Sequence, residues 1–122
     1  RKGTVLLLTF GTGVGSALFV DGKLYPNSEL GHLRFHGKSA EHFVSAAAKD
    51  RKKLSYKKWA HKVSDYLNQL EKILCPELII VGGGISADHE KWFKYLKLRT
   101  PIVPAAFLNE AGIVGAALAA VK

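Results

Sequence analysis

The segment TVLLLTFGTGVGSALFVDGKLY, residues 4–25, decides the fold of this chain. It begins with an apolar, β-rich run over residues 4–10, which predicts a buried strand. A glycine-rich turn over residues 11–15 follows, and a second strand is predicted over residues 16–20. Asp21-Gly22 is a hairpin signal that leads into a third short strand, Lys23-Leu24-Tyr25. We therefore expect three consecutive antiparallel strands.

Helices and strands alternate in the rest of the sequence. Ser39-Ala40-Glu41 opens a short predicted helix that ends at residue 48, and Ser55 is the expected N-cap of a long helix. The long helix carries an amphipathic apolar stripe, and Cys75-Pro76 ends it. The stripe consists of Tyr56, Trp59, Ala60, Val63, Tyr66, Leu67, Leu70, Ile73 and Leu74. We expect Trp59 and Tyr66 to belong to the core rather than to a ligand site.

The remaining elements complete an α/β pattern. A buried strand is predicted over residues 78–81, a helix over 88–96, a strand at 102–103 and a small-residue helix over 109–121. The order βββααβαβα is ribonuclease-H-like. We therefore expect a single domain over residues 1–122, with a mixed sheet flanked by helices.

The glycine turn Gly11-Thr12-Gly13-Val14-Gly15 does not fit a dinucleotide fingerprint, because Ser16 stands where the third glycine is needed and a strand follows it. Gly37-Lys38-Ser39 likewise fails as a P-loop, because its first glycine is out of place and no strand precedes it. A glycine turn between antiparallel strands can still offer backbone N–H groups and the Thr12 hydroxyl to a phosphate. An ordinary tight hairpin remains the alternative.

Two further motifs are candidates for ligand binding. Glu29-Leu30-Gly31-His32 combines carboxylate acceptors with an imidazole donor and acceptor, a pair suited to sugar hydroxyls. A surface loop is the alternative, and Gly31 argues against the helix that a Glu-x-x-His metal site would need. Gly82-Gly83-Gly84 follows a buried strand and would allow the backbone to approach a phosphate, a nucleotide or a helix closely. A simple turn from strand to helix is the alternative.

Composition limits the classes of protein to consider. The chain has 122 residues, of which 48% are hydrophobic, and one cysteine, so an internal disulfide is excluded and a reducing cytoplasm is the expected location. No apolar run reaches the ~20 residues of a membrane span. The net charge of +8 fits solvated helix faces, nucleic acid or a chain of phosphates. The sequence has no aromatic–basic motif of a nucleic-acid fold.

Taken together, four segments resemble the ROK family of sugar kinases in order and spacing. They are TFGTGVGSA (residues 9–17), NSELGH (27–32), IIVGGGIS (79–86) and NEAGIVGAA (109–117). Three segments resemble the glucokinases of this family that use polyphosphate: PNSELGH (residues 26–32), SYKKWA (55–60) and TPIVPA (100–105). The resemblance covers essentially the whole chain and implies a lobe of the actin-like, sugar-kinase superfold, namely the C-terminal lobe of a two-lobed kinase.

The resemblance also implies roles for individual residues. Gly11, Thr12 and Gly13 match a phosphate-binding motif, and Gly83 and Gly84 match the loop on the side of the phosphoryl donor. Glu29 and His32 match the pair that binds glucose, and Glu41 matches a further sugar-contacting glutamate more loosely. Many ROK proteins hold zinc with a cysteine cluster after this motif, but the cluster is missing here, so zinc is not expected.

The implied reaction is transfer of a phosphoryl group from polyphosphate, ATP or both to the 6-hydroxyl of glucose, with Mg²⁺. The family's first phosphate motif and catalytic Asp precede the segment matching residues 4–10, so no catalytic residue is expected in this chain, which alone should be inactive. Glucose and the donor are the expected partners, a homodimer is left open, and neither nucleic acid nor a membrane is expected. A sugar-sensing ROK regulator and a polyanion-binding domain are the alternatives.

Overall fold

The computed structural model of the chain describes residues 3–25, 28–35 and 37–105. Within these residues the strands are β1 Thr4–Phe10, β2 Val14–Val20, β3 Lys23–Tyr25, β4 Arg34–Phe35, β5 Lys38–Ser39, β6 Leu78–Gly82 and β7 Ile102–Pro104. The α-helices are α1 Glu41–Val44, α2 Ala46–Arg51 and α3 Tyr56–Leu74, and short 3-10 segments span Leu30–His32, Gly84–Lys91 and Phe93–Tyr95. The predicted helix over residues 109–121 lies outside the described residues.

The main sheet has five strands in the order β3-β2-β1-β6-β7. Strand β2 is antiparallel to β1 and β3, whereas β1, β6 and β7 run parallel to one another. The β2–β3 turn fits its sequence, since Asp21 (φ 53°) and Gly22 (φ 83°) are both left-handed, as the favoured two-residue hairpin turns require. This mixed sheet confirms the expected fold class.

Helix α3 covers one face of the sheet. The Ser55 side chain accepts a hydrogen bond from the Lys58 N–H and so caps the helix, as predicted. Trp59 and Tyr66 are fully buried, which confirms that they belong to the core. Ile73 departs from the predicted stripe, because 59% of its surface is exposed near the helix end. The helix ends at Cys75, which adopts a left-handed conformation.

Three aromatic rings pack beneath the carboxyl end of β1. The ring centroids of Phe10 and Trp59 are 5.9 Å apart, those of Phe10 and Trp92 6.2 Å, and those of the two tryptophans 4.7 Å. The rings meet edge to face, the arrangement that their quadrupoles favour. Each indole N–H is satisfied, that of Trp59 by the Val44 carbonyl and that of Trp92 by the Ile85 carbonyl. The cluster packs the carboxyl end of β1 against α3 and the segment around Trp92.

Three predicted elements differ from the structure. The second strand begins at Val14 rather than residue 16, because Val14 pairs with Phe10 in the hairpin. The helix predicted over residues 39–48 is divided at Ser45, whose extended backbone (ψ 155°) starts α2 and whose hydroxyl accepts from the Ala48 N–H. The α-helix predicted over residues 88–96 is instead a pair of 3-10 segments separated at Trp92, whose burial fixes the local path.

The short strands β4 and β5 pair antiparallel and are not among the predicted elements. None of the helices in the part of the chain that the structure describes is both long and apolar enough to cross a membrane.

Candidate functional site

A cleft of about 350 Å³ opens at the carboxyl ends of β1 and β6. It contains all eight residues that the sequence analysis assigned to ligand binding, and its lining comprises Thr9, Phe10, Gly11, Thr12, Gly13, Val14, Gly15, Glu29, His32, Glu41, Gly83 and Gly84. These residues come from four separate segments of sequence. The fold therefore brings two predicted sets of residues to one place. The phosphate candidates are Gly11, Thr12, Gly13, Gly83 and Gly84, and the sugar candidates are Glu29, His32 and Glu41.

Parallel pairing explains why the two glycine loops meet. Thr9 near the end of β1 lies in register with Gly82 at the end of β6, so the loops that follow leave the same edge of the sheet. Gly83 has a left-handed backbone (φ 81°), which a residue with a side chain would adopt only with strain. The two loops are about seventy residues apart in the sequence, but the pairing of β1 with β6 makes them neighbours in space.

The glycine turn leaves donors available for a ligand. The Gly11 N–H donates to the Gly13 carbonyl (2.9 Å), and the Gly11 carbonyl accepts from the Ala47 N–H (3.0 Å), so Gly11 shapes and anchors the turn. Within the described residues, the N–H groups of Thr12 and Gly13 have no hydrogen-bond partner. These two N–H groups and the Thr12 hydroxyl are the donors that this turn can offer to a phosphate.

Glu41 connects the glycine turn to the sugar candidates. Its Oε1 accepts a hydrogen bond from the Val14 N–H (3.1 Å), and its Oε2 lies 3.6 Å from His32 Nε2. A Cβ atom at Gly13 would lie 2.6 Å from Glu41 Oε1, so a glycine is needed for this approach. Glu41, the sugar candidate with the loosest match in the sequence, thus contacts both the glycine turn and His32.

Glu29 and His32 lie at the two ends of the 3-10 segment Leu30–His32, with the His32 N–H donating to the Glu29 carbonyl (3.0 Å). This geometry differs from the α-helix on which a Glu-x-x-His metal pair is presented. Both residues are exposed at the surface of the cleft. Gly31 between them is buried, and a Cβ there would come within 2.8 Å of the Val14 carbonyl oxygen.

Residues that sequence reasoning missed hold this segment in place. The Ser16 hydroxyl donates to the Ser28 carbonyl (2.6 Å) and accepts from the Leu30 N–H (3.1 Å). The Tyr66 hydroxyl donates to the Leu30 carbonyl (2.8 Å) from the α3 side. Burial, together with the nearby charge of Glu41, raises the pKa of Tyr66 far above its ordinary value, so this hydroxyl stays a donor. A tyrosine on an apolar stripe gives no sequence signal for this role.

Mg²⁺ is usually held by substrate phosphates and one or two carboxylates. Among the described residues, no three His, Cys, Asp or Glu side chains are grouped closely enough to hold a metal ion. Glu41 is the carboxylate that reaches the glycine turn, and its Oε1 is already bonded to the Val14 N–H.

The sequence is closely similar to known kinases over almost its entire length. It is 51% identical to the polyphosphate glucokinase of Mycobacterium leprae over 119 residues, which cover 98% of this chain and 37% of that protein. It is 50% identical to the polyphosphate glucokinase of Mycobacterium tuberculosis H37Rv, covering 99% of this chain and 46% of that protein. Each alignment covers less than half of the relative. The predicted resemblance to glucokinases that use polyphosphate is therefore confirmed.

Solved kinase structures share the fold of this chain. The inorganic polyphosphate/ATP-glucomannokinase from Arthrobacter sp. strain KM superimposes with a TM-score of 0.85 at 51% identity, covering 99% of this chain and 49% of that one. A ROK family glucokinase from Streptomyces griseus, solved with glucose and AMPPNP, has a TM-score of 0.68 at 18% identity over 95% of this chain and 60% of that one, and bears on the fold alone. No protein-family model matches the sequence. The chain spans less than half the length of these curated relatives.

Proposed function

We propose that this chain is the C-terminal lobe of a glucokinase that transfers a phosphoryl group from polyphosphate, ATP or both to the 6-hydroxyl of glucose. The observation that carries the proposal is that the phosphate candidates and the sugar candidates line one cleft. About 50% identity to polyphosphate glucokinases favours this activity over a sugar-sensing regulator or a general polyanion-binding domain.

On the donor side, the Thr12 and Gly13 N–H groups and the Thr12 hydroxyl would bind the phosphate that is transferred. Phosphoryl transfer depends on positioning and on stabilisation of charge, and fixed backbone donors supply both without rearranging during the reaction. Gly83, which is left-handed, and Gly84 also line the cleft and carry no side chains, so a donor could approach their backbone.

On the sugar side, Glu29, His32 and Glu41 would bind glucose hydroxyls. Glu41 Oε2 lies 3.6 Å from His32 Nε2, so the carboxylate and the imidazole can contact the same sugar, to which a neutral imidazole offers one donor and one acceptor. Glu29 adds carboxylate acceptors from the other end of the 3-10 segment. Acceptors in fixed directions orient the sugar, which is how such a site would bring the 6-hydroxyl to the donor.

The catalytic base would come from outside this chain. The described aspartates lie away from the cleft: Asp21 accepts from the Gly3 N–H in the hairpin, and Asp88 binds the Tyr56 hydroxyl and Lys91. Asp50 and Asp65 are exposed on α2 and α3. The cleft has the groups to hold both substrates but no aspartate to take the hydroxyl proton.

A coupled assay for glucose 6-phosphate tests the proposal. The full-length protein that contains this chain should phosphorylate glucose with Mg²⁺ and polyphosphate or ATP, and this chain alone should not exceed a blank without protein. A full-length protein that binds glucose without turnover with either donor would instead indicate a regulator.

A further inference from the structure

A second cavity, of about 330 Å³, adjoins the cleft and shares Thr12, Gly13 and Glu41 with it. Its other lining residues include His42 and Arg51, so it leads from the glycine turn to the end of α2. Within the described residues, no hydrogen bond or ion pair engages the Arg51 side chain. A free guanidinium therefore lies beside a phosphate-binding turn.

A basic patch, defined as Lys38, Arg51, Lys52 and Lys62, continues from this cavity. Lys52 Nζ donates to the carbonyl of His42, a residue that lines the cavity, at 3.4 Å. The same Nζ lies 4.8 Å from the centre of the Phe43 ring, and Lys62 Nζ lies 5.7 Å from it. Both amines therefore rest on one aromatic surface next to the cavity.

No ion pair among the described residues includes a member of the basic patch. The described close contacts between basic and acidic side chains are those of His32 with Glu41 and of Lys91 with Asp88. Burial, and then the charges of Lys62, Arg51 and Lys38, lower the pKa of the Lys52 amine. Clustered like charges repel one another, and an anionic ligand would relieve this repulsion.

We propose that the basic patch binds the part of a polyphosphate chain that extends past the phosphates held at Thr12 and Gly13. The inference rests on the proposed donor role of the cleft. Polyphosphate carries charge along its whole length and can cross the cavity at Arg51 to reach Lys52 and Lys62. The charge of ATP ends after three phosphates. The patch therefore separates long-chain donors from short ones.

Lys91 and Lys94 provide a control for the lysines of the basic patch. Lys91 lies 3.7 Å from Asp88, so its charge is partly balanced, and Lys94 rests over the Tyr95 ring at 5.4 Å. Neither residue lines the cleft or the adjoining cavity. The double variant Lys91→Gln/Lys94→Gln therefore removes the same charge as Lys52→Gln/Lys62→Gln without touching the patch.

Kinetics of the full-length protein with long-chain polyphosphate, tripolyphosphate and ATP test the proposal. In Lys52→Gln/Lys62→Gln the KM for long-chain polyphosphate should rise on the order of tenfold at low salt, and its salt slope should fall by about one for each lysine. The KM for the two short donors should rise less. The comparison variant should retain the wild-type preference for the long chain.

An equal rise of KM for all three donors, or the same loss in the comparison variant, would overturn the proposal. A patch variant that loses affinity for a single-stranded DNA oligonucleotide but not for polyphosphate would also overturn it and assign the patch to nucleic acid. A full-length protein that phosphorylates glucose with ATP but not with polyphosphate would overturn the proposed role of the patch and leave the proposed glucokinase function intact. Absence of glucose phosphorylation with every donor would contradict the proposed function itself.

Discussion

Glu41 Oε2 lies 3.6 Å from His32 Nε2, and this pair joins the two halves of the cleft. The second carboxylate oxygen of Glu41 holds the Val14 N–H at the base of the glycine turn. One side chain thus contacts both the segment assigned to phosphate and the residue assigned to sugar. Its position gives a physical route by which sugar binding and donor binding can depend on each other.

In the full-length protein, to which all the kinetic predictions below refer, the pair should be energetically coupled during the proposed phosphorylation of glucose. Glu41→Gln keeps an acceptor for the Val14 N–H but removes the charge that faces His32, and His32→Ala removes the imidazole. In a double-mutant cycle on kcat/KM for glucose, the double variant should lose less than the sum of the two single losses, by about 0.5–3 kcal/mol. The exposed Glu90 gives the control, Glu90→Gln combined with His32→Ala. Additive losses for Glu41 and His32 would mean that the pair is structural.

Glu29 tests the sugar site independently of that pair. Glu29→Gln preserves the shape of the side chain and removes the charged acceptors that a sugar hydroxyl would use. Transition-state binding of glucose should weaken by about 1–3 kcal/mol in kcat/KM, whereas the KM for the phosphoryl donor should change little. Wild-type kinetics in this variant would indicate that residues 29–32 are a surface loop without a role in binding sugar.

Gly13 should be intolerant of even one methyl group. The added Cβ of Gly13→Ala would lie 2.6 Å from Glu41 Oε1, so Glu41 would have to leave its contact with the Val14 N–H. We expect losses in kcat/KM for both substrates, since the turn and the sugar side share Glu41. Gly11→Ala is the steric control, because a Cβ there meets nothing within 4 Å. Equal losses in the two variants would remove the steric explanation.

The strands and the long helix could be predicted because their signals are local. An apolar run, an Asp-Gly turn, a serine cap and an amphipathic stripe each act within a few residues. The break at Ser45 could not be predicted in this way. Next to this break, the Ala47 N–H donates a hydrogen bond to the carbonyl of Gly11, and Gly11 is far from Ala47 in the sequence. The winding around Trp92 likewise follows from packing against Phe10 and Trp59.

The membership of the candidate site could be predicted, but its internal connections could not. Motif residues are recognised by their type and by their spacing in the sequence. Neither gives the distance in space between one motif and another. Glu41 therefore seemed the weakest sugar candidate, although the structure places it between the glycine turn and His32. Ser16 and Tyr66 gave no signal at all, because a serine in a strand and a tyrosine on an apolar stripe are ordinary.

The last prediction concerns Glu71, a buried carboxylate on α3 with 5% of its surface exposed. Its Oε2 accepts from the Arg99 N–H (2.9 Å), the Thr100 N–H (2.8 Å) and the Thr100 hydroxyl (2.6 Å), which fixes the segment before β7. Burial alone would raise the pKa of this carboxyl. The donors of Thr100, followed by the N–H and charge of Arg99, outweigh burial and lower the pKa below its ordinary value.

The sign of the pH dependence follows from that lowered pKa. A carboxylate whose pKa is lower in the folded state stabilises the fold above its unfolded pKa and loses this contribution as pH falls through the folded value. Glu71→Gln should therefore reduce the free energy of unfolding by about 1 kcal/mol at pH 7. The difference from wild type should shrink below about pH 4.3, the ordinary glutamate value. Chemical denaturation between pH 7 and pH 3 measures both quantities, with Glu90→Gln as the exposed control. A difference that stays constant over this range would show that the Glu71 charge contributes nothing to stability.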